Sequence, residues 1–385
     1  MDKKNIRVLL TEGGSRQTLP MAKAFSDLGC IVTTLNSTSL DLGNTSKYPK
    51  EKIVIKGIDD DAEIAFNTIE ELLKTKKYDL VVPMSDFTAN VLAQNKTYFS
   101  KYAVIETNDA EIFNLAYDKL NTMVLCMEEG LPCPKTILNV DSIEAVKEIE
   151  YPVVVKPRSA CGSIGFRTAS TERELKNILS KYNKALGPMF VQEYIPQTGK
   201  QYNVHMFLDE NQNVKTALVA EKCRWFPIDG GASTLCVTVD RPDIIDICSR
   251  LLKKMKWVGY CDVDLMLDPR DNTPKIIEVN ARISANVKLC YLVGMNIAKQ
   301  ILESRFGQGV TEYRTYKEDI RLRCLHTDLL WFINSKDRFK AIPSWFSIKN
   351  TTDQIFSIDD PLPWFLFTIQ SISKYRKEMK RRSRN

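Results

Sequence analysis

The chain has 385 residues, of which 44% are hydrophobic and 26% charged, an ordinary globular mixture with length for two or three domains. No apolar run reaches the ~18 residues of a membrane-spanning helix, and Met1–Asn5 leads straight into a strand-like run rather than a signal peptide. The net charge of +6 lies in the tail, where Lys374, Arg376, Lys377, Lys380, Arg381, Arg382 and Arg384 face only Glu378, which argues against a globally basic nucleic-acid binder.

Ten scattered cysteines form no C-x-x-C pair, which speaks against a zinc ribbon, a redox dithiol or a disulfide scaffold and favours a reducing cytoplasm. With only His205 and His326, a His-rich metal centre is excluded and a Ser-His-Asp triad nearly so; His205 reads as structural.

In chain order, the first segment alternates strands and helices. Ile6–Leu10 is a predicted strand ending in the Gly13-Gly14 turn, read as a plain βα turn with anion binding as the alternative. A helix over Leu19–Leu28, a strand over Cys30–Leu35, a helix over Asp61–Thr75 and strands at Leu80–Val82 and Ala103–Ile105 follow. This alternation predicts a doubly wound parallel sheet, with Ser85 and Asp86 at a ligand-facing strand end. A helix spans about 108–125. Tyr151–Lys156 is a strand with three valines, followed by the small-residue loop Arg158–Gly165. Thr171–Lys181 is a helix and Met189–Ile195 a strand. Tyr202–Leu208 and Lys215–Ala220 form a hairpin, Ile244–Lys256 a helix, and a second hairpin carries Asp264 on one strand and Glu278 on the next.

Three constellations carry chemistry. Alternate residues of a strand share a face, so Glu278, Asn280 and Arg282 line one side, with Asp264 on the preceding strand. Hard oxygens beside a guanidinium suit a divalent cation and a polyphosphate. Lys156, at the end of a valine-rich strand, places a point charge near phosphate. Gly162 and Gly165, in a loop without the P-loop pattern, allow close backbone approach. Val191–Ile195 interrupts an apolar strand with polar groups, as a base-edge pocket requires.

The ordered segments Asp118-Lys119, Val153–Pro157 with its Gly/Ser loop, Gln192–Ile195, Asp262–Leu265 and Ile276–Ser284 resemble the ATP-grasp superfamily, over about residues 5–310. They are most similar to its carbamoyl-phosphate-synthetase-like carboxylate–amine ligases. The resemblance implies an α/β protein. A Rossmann-like domain (1–115) would precede an ATP-grasp fold (116–310) whose two α+β subdomains sandwich ATP, with a lid at about 130–190, and an extension would occupy 311–385. It implies that Lys119 and Lys156 contact ATP phosphates, that Ser159, Gly162, Ser163 and Gly165 cover them, and that Gln192, Glu193, Tyr194 and Ile195 hold adenine. Gln201 stands where many relatives place a ribose-binding glutamate. Asp264, Glu278 and Asn280 would hold one or two Mg²⁺ ions, with Mn²⁺ as a substitute, and Arg282 would stabilise the transferring phosphoryl group. Arg224 is a candidate clamp for the substrate carboxylate, with Lys222 and the Gly230–Ser233 turn nearby; Lys288 is a candidate phosphate contact.

The expected chemistry is activation of a carboxylate as an acyl phosphate, then attack by an amine. The small-molecule acid and amine are unnamed; one partner is read as lipid-linked, in surface-polysaccharide biosynthesis. The alternatives are a non-catalytic nucleotide-binding regulatory or scaffold protein, or ATP-dependent carboxylation or phosphoryl transfer. After about residue 310, Leu322–Phe332 is a candidate helix, and an aromatic block at Pro361–Phe367 leads into the basic tail. That combination predicts a cytoplasmic protein with peripheral contact to an anionic membrane through 361–385, and a homodimer is the base-rate expectation.

Overall fold

The alternation of the first hundred residues closes into a parallel sheet in the computed structural model, which describes residues 5–137, 149–159, 165–228, 230–307 and 309–371. Strands β1 (Arg7–Leu10), β2 (Ile31–Asn36), β3 (Glu51–Val54), β4 (Leu80–Val82) and β5 (Val104–Ile105) lie in the order β3-β2-β1-β4-β5. Both faces are covered, so the strands read as apolar runs rather than alternations. Val8, Leu10, Leu80 and Val82 pack towards helix Thr18–Asp27, while Leu9 and Val81 pack towards helix Ala62–Lys76. The chain builds outward from β1 to β3, then crosses to β4 on the other side. The crevice between the loops after β1 and β4 is thus the sheet's topological switch point.

A second, antiparallel sheet takes the order β6-β9-β7-β8, from Thr136–Ile137, Val153–Pro157 (β7), Arg167–Ala169 and Met189–Glu193 (β9). Val153, Val155, Met189 and Val191 form its small core with Leu175, from the helix Glu172–Leu186. Thr171 caps that helix by accepting from the Glu174 N–H.

The largest sheet has seven strands, ordered β14-β13-β10-β11-β12-β15-β16. Their ranges are Gln201–Leu208 (β10), Val214–Phe226 (β11), Ala232–Thr238 (β12), Gly259–Leu267 (β13), Pro274–Asn280 (β14), Arg321–Arg323 (β15) and Thr351–Asp353 (β16). All pairings are antiparallel except β15 with β16. One face is apolar throughout: Tyr202, Val204, Met206, Val263, Leu265 and Val279 meet helices Ala110–Tyr117, Lys119–Glu128 and Pro242–Met255. The opposite face is apolar only at one end, where Phe207, Leu218 and Tyr260 pack on the parallel sheet and helix Ile297–Phe306. At its other end it is polar, and there the site lies.

The α/β class, with a parallel sheet followed by two further sheets, agrees with the expectation. Four local readings are corrected. The helix expected over 108–125 is two helices parted at Asp118, whose extended backbone and capping carboxylate end one and start the next. The strand expected over Lys215–Ala220 runs through Phe226, because both its flanks are hydrogen-bonded by neighbours. The Gly230–Ser233 turn already belongs in part to β12, which begins at Ala232. The helix expected over Leu322–Phe332 begins at Leu325, because Arg321–Arg323 pairs with β12 and β16. The residues after 310 therefore complete the seven-stranded sheet.

Candidate active site

Strand periodicity and register bring the polar residues together. Asp264 pairs directly with Glu278, and Asp262 with Asn280, across β13 and β14. Asn203 on β10 pairs with Asp264, and Gln201 pairs with Lys222 on β11. Since side chains alternate, these residues occupy one patch of one face. Asn203 donates to the carboxylates of both Asp262 and Asp264, the latter at 3.1 Å. The Lys222 ammonium lies 2.8 Å from Asp264.

Lysines from outside this sheet complete the patch. Lys119, the first residue of its helix, lies 3.1 Å from Glu278. Asp118 accepts from the Leu120 N–H and is gripped by Arg158, whose carbonyl receives the Lys119 N–H, so the Asp-Lys pair is fixed at both residues. Lys156 comes from β7, is 9% exposed, and has its ammonium 5.3 Å from the Phe190 ring centre.

The electrostatics follow from this crowding. Burial opposes ionisation of Glu278, yet Lys119, Lys156 and Lys222 prevail and hold its carboxyl at about 2. Burial, aided by Lys119, pulls Lys156 down to about 8 against the attraction of Glu278. Burial likewise opposes the charge on Lys222, but Asp264 and Asp262 raise it above its ordinary value. Burial and the neighbouring Asp264 push Asp262 up to about 7.

Arg282, just past β14, reaches across to the parallel sheet. Its Nε donates to Asp86 at 3.0 Å and its Nη2 to Asn280 at 3.1 Å. Burial opposes its charge, but Asp86 and Asp262 hold it firmly protonated. Asp86 opens helix Asp86–Gln94, capped by Ser85, at the end of β4.

The remaining expected residues divide. Ser159 and Gly165 flank the small-residue loop; Gly162 and Ser163 lie outside the described residues. Ile195 is buried, Tyr194 is half-buried, and Gln201 donates to Gln197 at 2.9 Å. Gln192 is corrected as a base reader: its amide nitrogen donates to Thr136 Oγ1 at 2.8 Å and braces two strands of the small sheet. The carboxylate of Glu193 is likewise committed, to Lys275 at 2.8 Å and Arg270 at 3.1 Å, and it ties the small sheet to β14. Arg224 is corrected most plainly. It is 3% exposed, and its Nε and Nη2 donate to the two oxygens of Asp328 at 2.8 and 2.9 Å. A bidentate partner from the chain itself occupies the fork that a substrate carboxylate would need. Lys288 donates to the carbonyls of Asp353 and Phe356, away from the site. His205 is structural as expected: fully buried, hydrogen-bonded to the Tyr260 hydroxyl, and pushed down to about 3 chiefly by burial.

Sequence reasoning missed Asn203 and Asp262. Their signal was present, since Gln201 and Asn203 alternate, as do Asp262 and Asp264. It also missed Glu12, the residue before the Gly13-Gly14 turn. Gly13 itself is required because any side chain there would collide with Asn36.

The donor set of Asp264, Glu278 and the Asn280 amide is all hard oxygen, which suits Mg²⁺ once phosphate oxygens complete the shell. Among the described residues, no group of three His, Cys, Asp or Glu side chains forms a metal site unaided. No helix among them is long and apolar enough to cross a membrane.

Comparison with known proteins agrees with this geometry. Residues 116–286 match the ATP-grasp domain family. The chain is 26% identical over 338 residues to the D-aspartate ligase of Enterococcus faecium, covering 80% of this chain and 79% of that protein. It is 23% identical over 352 residues to the carbamoyl phosphate synthase large chain of Clostridium acetobutylicum, but spans only 32% of that longer protein. The fold superposes on biotin carboxylase of Campylobacter jejuni with a TM-score of 0.68 at 17% identity, covering 83% of this chain and 75% of that one. The facing carboxylates ringed by lysines lie within or beside the matched segment, and residues 116–286 are thus an ATP-grasp domain.

Proposed function

We propose that this chain activates a carboxylate with ATP and joins it to an amine. The carboxylate oxygen takes the γ-phosphoryl group, giving an acyl phosphate and ADP. The amine then attacks the acyl carbon, the C–O bond to phosphate breaks, inorganic phosphate leaves, and the amine nitrogen gives up a proton. One observation carries this reading: two directly facing carboxylates, Asp264 and Glu278, are each already matched by a lysine, with Lys156 alongside. Such a patch has three lysines against two carboxylates, and its excess positive charge suits a polyphosphate that arrives with its own cation.

In this reading Lys119 and Lys156 hold phosphate oxygens, and the backbone of Ser159–Gly165 covers them. The backbone at Tyr194 and Ile195 and the side chain of Gln201 hold adenine and ribose. Asp264, Glu278 and Asn280 hold one or two Mg²⁺ ions, for which Mn²⁺ is a hard-ligand substitute. When bound, that cation spreads the charge of the transferring phosphoryl group. Arg282 stabilises the same charge from the acceptor side. The acid is an amino acid, a reading supported by the D-aspartate ligase relative.

The test is ADP release with Mg²⁺-ATP, hydroxylamine as amine, and a panel of acids, scored for hydroxamate by mass spectrometry. The wild type forms product and Glu278→Gln does not. ATP binding without acid-dependent turnover in the wild type would return the chain to the regulatory reading.

A second observation bears on where the amine resides. Leu329, Ile333, Phe339, Ile342, Phe346 and Ile348 are 46, 60, 72, 91, 62 and 84% exposed. Ring contacts of Phe332 with Phe339, Trp345 and Phe346 join the aromatic residues of this stretch. The helix over 362–371 touches the same region through His326, and its sequence runs on into the basic tail, which lies outside the described residues. An apolar surface followed by seven cations fits an anionic membrane face and a lipid-linked, polysaccharide-type acceptor. Co-sedimentation with phosphatidylglycerol vesicles, lost on deleting residues 374–385 and absent with phosphatidylcholine, is the expected result; equal binding by both forms would remove this reading.

A further inference from the structure

Glu12 stands at the end of β1, on the rim of the switch-point crevice, facing the elements that carry Arg282. It is 5% exposed and has φ +56°, an uncommon conformation for a residue with a side chain. Its carbonyl is pinned by the Ser15 N–H and the Thr18 hydroxyl, both at 3.1 Å. The carboxylate accepts a hydrogen bond from Ser85, whose oxygen in turn accepts from the Thr88 N–H. The second carboxylate oxygen, Oε2, is buried and has no hydrogen-bond partner among the described residues. A buried acceptor of this kind is costly unless something completes it.

Its surroundings select what completes it. Asp59 and Asp86 lie near enough to oppose its ionisation, while Arg282, already tied to Asp86, favours it. Burial, with those two carboxylates, pushes Glu12 up to about 8, so the ionised form is costly with no partner or a neutral one and is favoured when a cation docks on it. A positively charged donor completes both the hydrogen bond and the charge. Arg282 has complementary capacity. Of its five N–H donors, three have the partners Asp86, Asn280 and the Ile283 carbonyl, which leaves two for an anion.

Resting on the ligase reading above, we propose that Glu12 and Arg282 form the two ends of an amino-acid subsite. Glu12 Oε2 receives the ammonium group of the acid substrate, and Arg282 receives the carboxylate that is to be phosphorylated. The ammonium held is the one that does not react, because an attacking amine must be unprotonated and a buried carboxylate would keep it charged. Glu12 is thus a specificity residue that rejects acids lacking the amino group.

The experiment pairs each amino acid with its desamino counterpart in the hydroxylamine assay: D- and L-aspartate with succinate, glutamate with glutarate, alanine with propionate. The wild type uses at least one amino acid and disfavours its desamino partner by ~100-fold or more in kcat/KM, as expected for a site whose buried polar group is left unpaired. Glu12→Gln raises KM for that amino acid by ~10–100-fold, the loss of a charged hydrogen bond, leaves KM for ATP unchanged, and narrows the discrimination against the desamino acid. Comparable use of both members of a pair, with no change on Glu12→Gln, overturns the subsite and leaves the ligase reading standing. A wild type that turns over no acid of either kind overturns both together.

Discussion

Two buried arginines flank the same sheet and teach opposite lessons. Arg224 on β11 spends its fork on Asp328, donates to the Pro343 carbonyl and lies 5.2 Å from the Trp331 ring centre, and Asp328 is further held by Arg323 and Thr234. Every partner of Arg224 comes from the sheet or the extension that completes it, so its own fork is fully spent within the chain. Arg282 is also buried and paired, but it bridges two sheets, retains donors without partners, and faces a carboxylate with an orphaned oxygen. A charge whose partners are complete holds a fold together. A charge whose partners are incomplete is arranged for something that arrives.

The largest test of that contrast is Arg224→Ala. Removing Arg224 breaks a buried bidentate pair and leaves Asp328 with Arg323 and Thr234, and the expected loss is about 3–5 kcal/mol of stability in denaturant titration. A loss below ~1 kcal/mol would put Arg224 back among candidate substrate contacts. The converse is Arg282→Lys, which keeps the charge but cannot bridge Asp86 and Asn280 with one fork. We expect kcat to fall by ~10²–10³ with the melting temperature nearly unchanged, and a collapse of stability instead would make the two arginines alike.

Glu12 sharpens the comparison through pH. Its carboxyl moves from an ordinary 4.5 to about 8 in the folded chain, mainly by burial. The folded state therefore keeps a proton that the unfolded state has lost between these values. The corresponding stability is fully present below pH 4.5 and is lost as pH rises towards 8. Glu12→Gln removes that titration, so the variant should become progressively more stable than wild type across that window and hold a constant lead above it. Thermal melts at pH 5 and pH 8.5 decide this, and a constant difference between them contradicts it. The smallest effect belongs to the exposed patch: Ile342→Ser and Ile348→Ser should alter stability by no more than ~0.5 kcal/mol while weakening vesicle binding. A larger destabilisation would show that these residues pack against the chain.

Much of the site was legible because strand chemistry is periodic. Glu278, Asn280 and Arg282 alternate, and Asp264 falls opposite Glu278 as soon as the hairpin is granted. Arg224 misled for an instructive reason: a lone arginine past the expected end of a strand reads as available, and its partner Asp328 lies 104 residues away. Gln192 misled in the same way, since nothing local indicates that Thr136 will pair beside it. Lys288 read as a candidate phosphate contact, but the extension folds back to offer it two carbonyls.

By itself the chain determined its alternating elements, its α/β class, the placing of charge in the tail, and the ordered polar segments of the site, because periodicity and local side-chain chemistry act over a few residues. Only the tertiary structure decided which charges are complete. It alone sent Arg224 to Asp328, set Lys119 and Lys156 against Glu278, joined the residues after 310 to the large sheet, and left Glu12 buried with one oxygen unmatched. Those outcomes depend on pairings between distant parts of the chain and on the water each pairing excludes, and neither quantity is written in any local pattern.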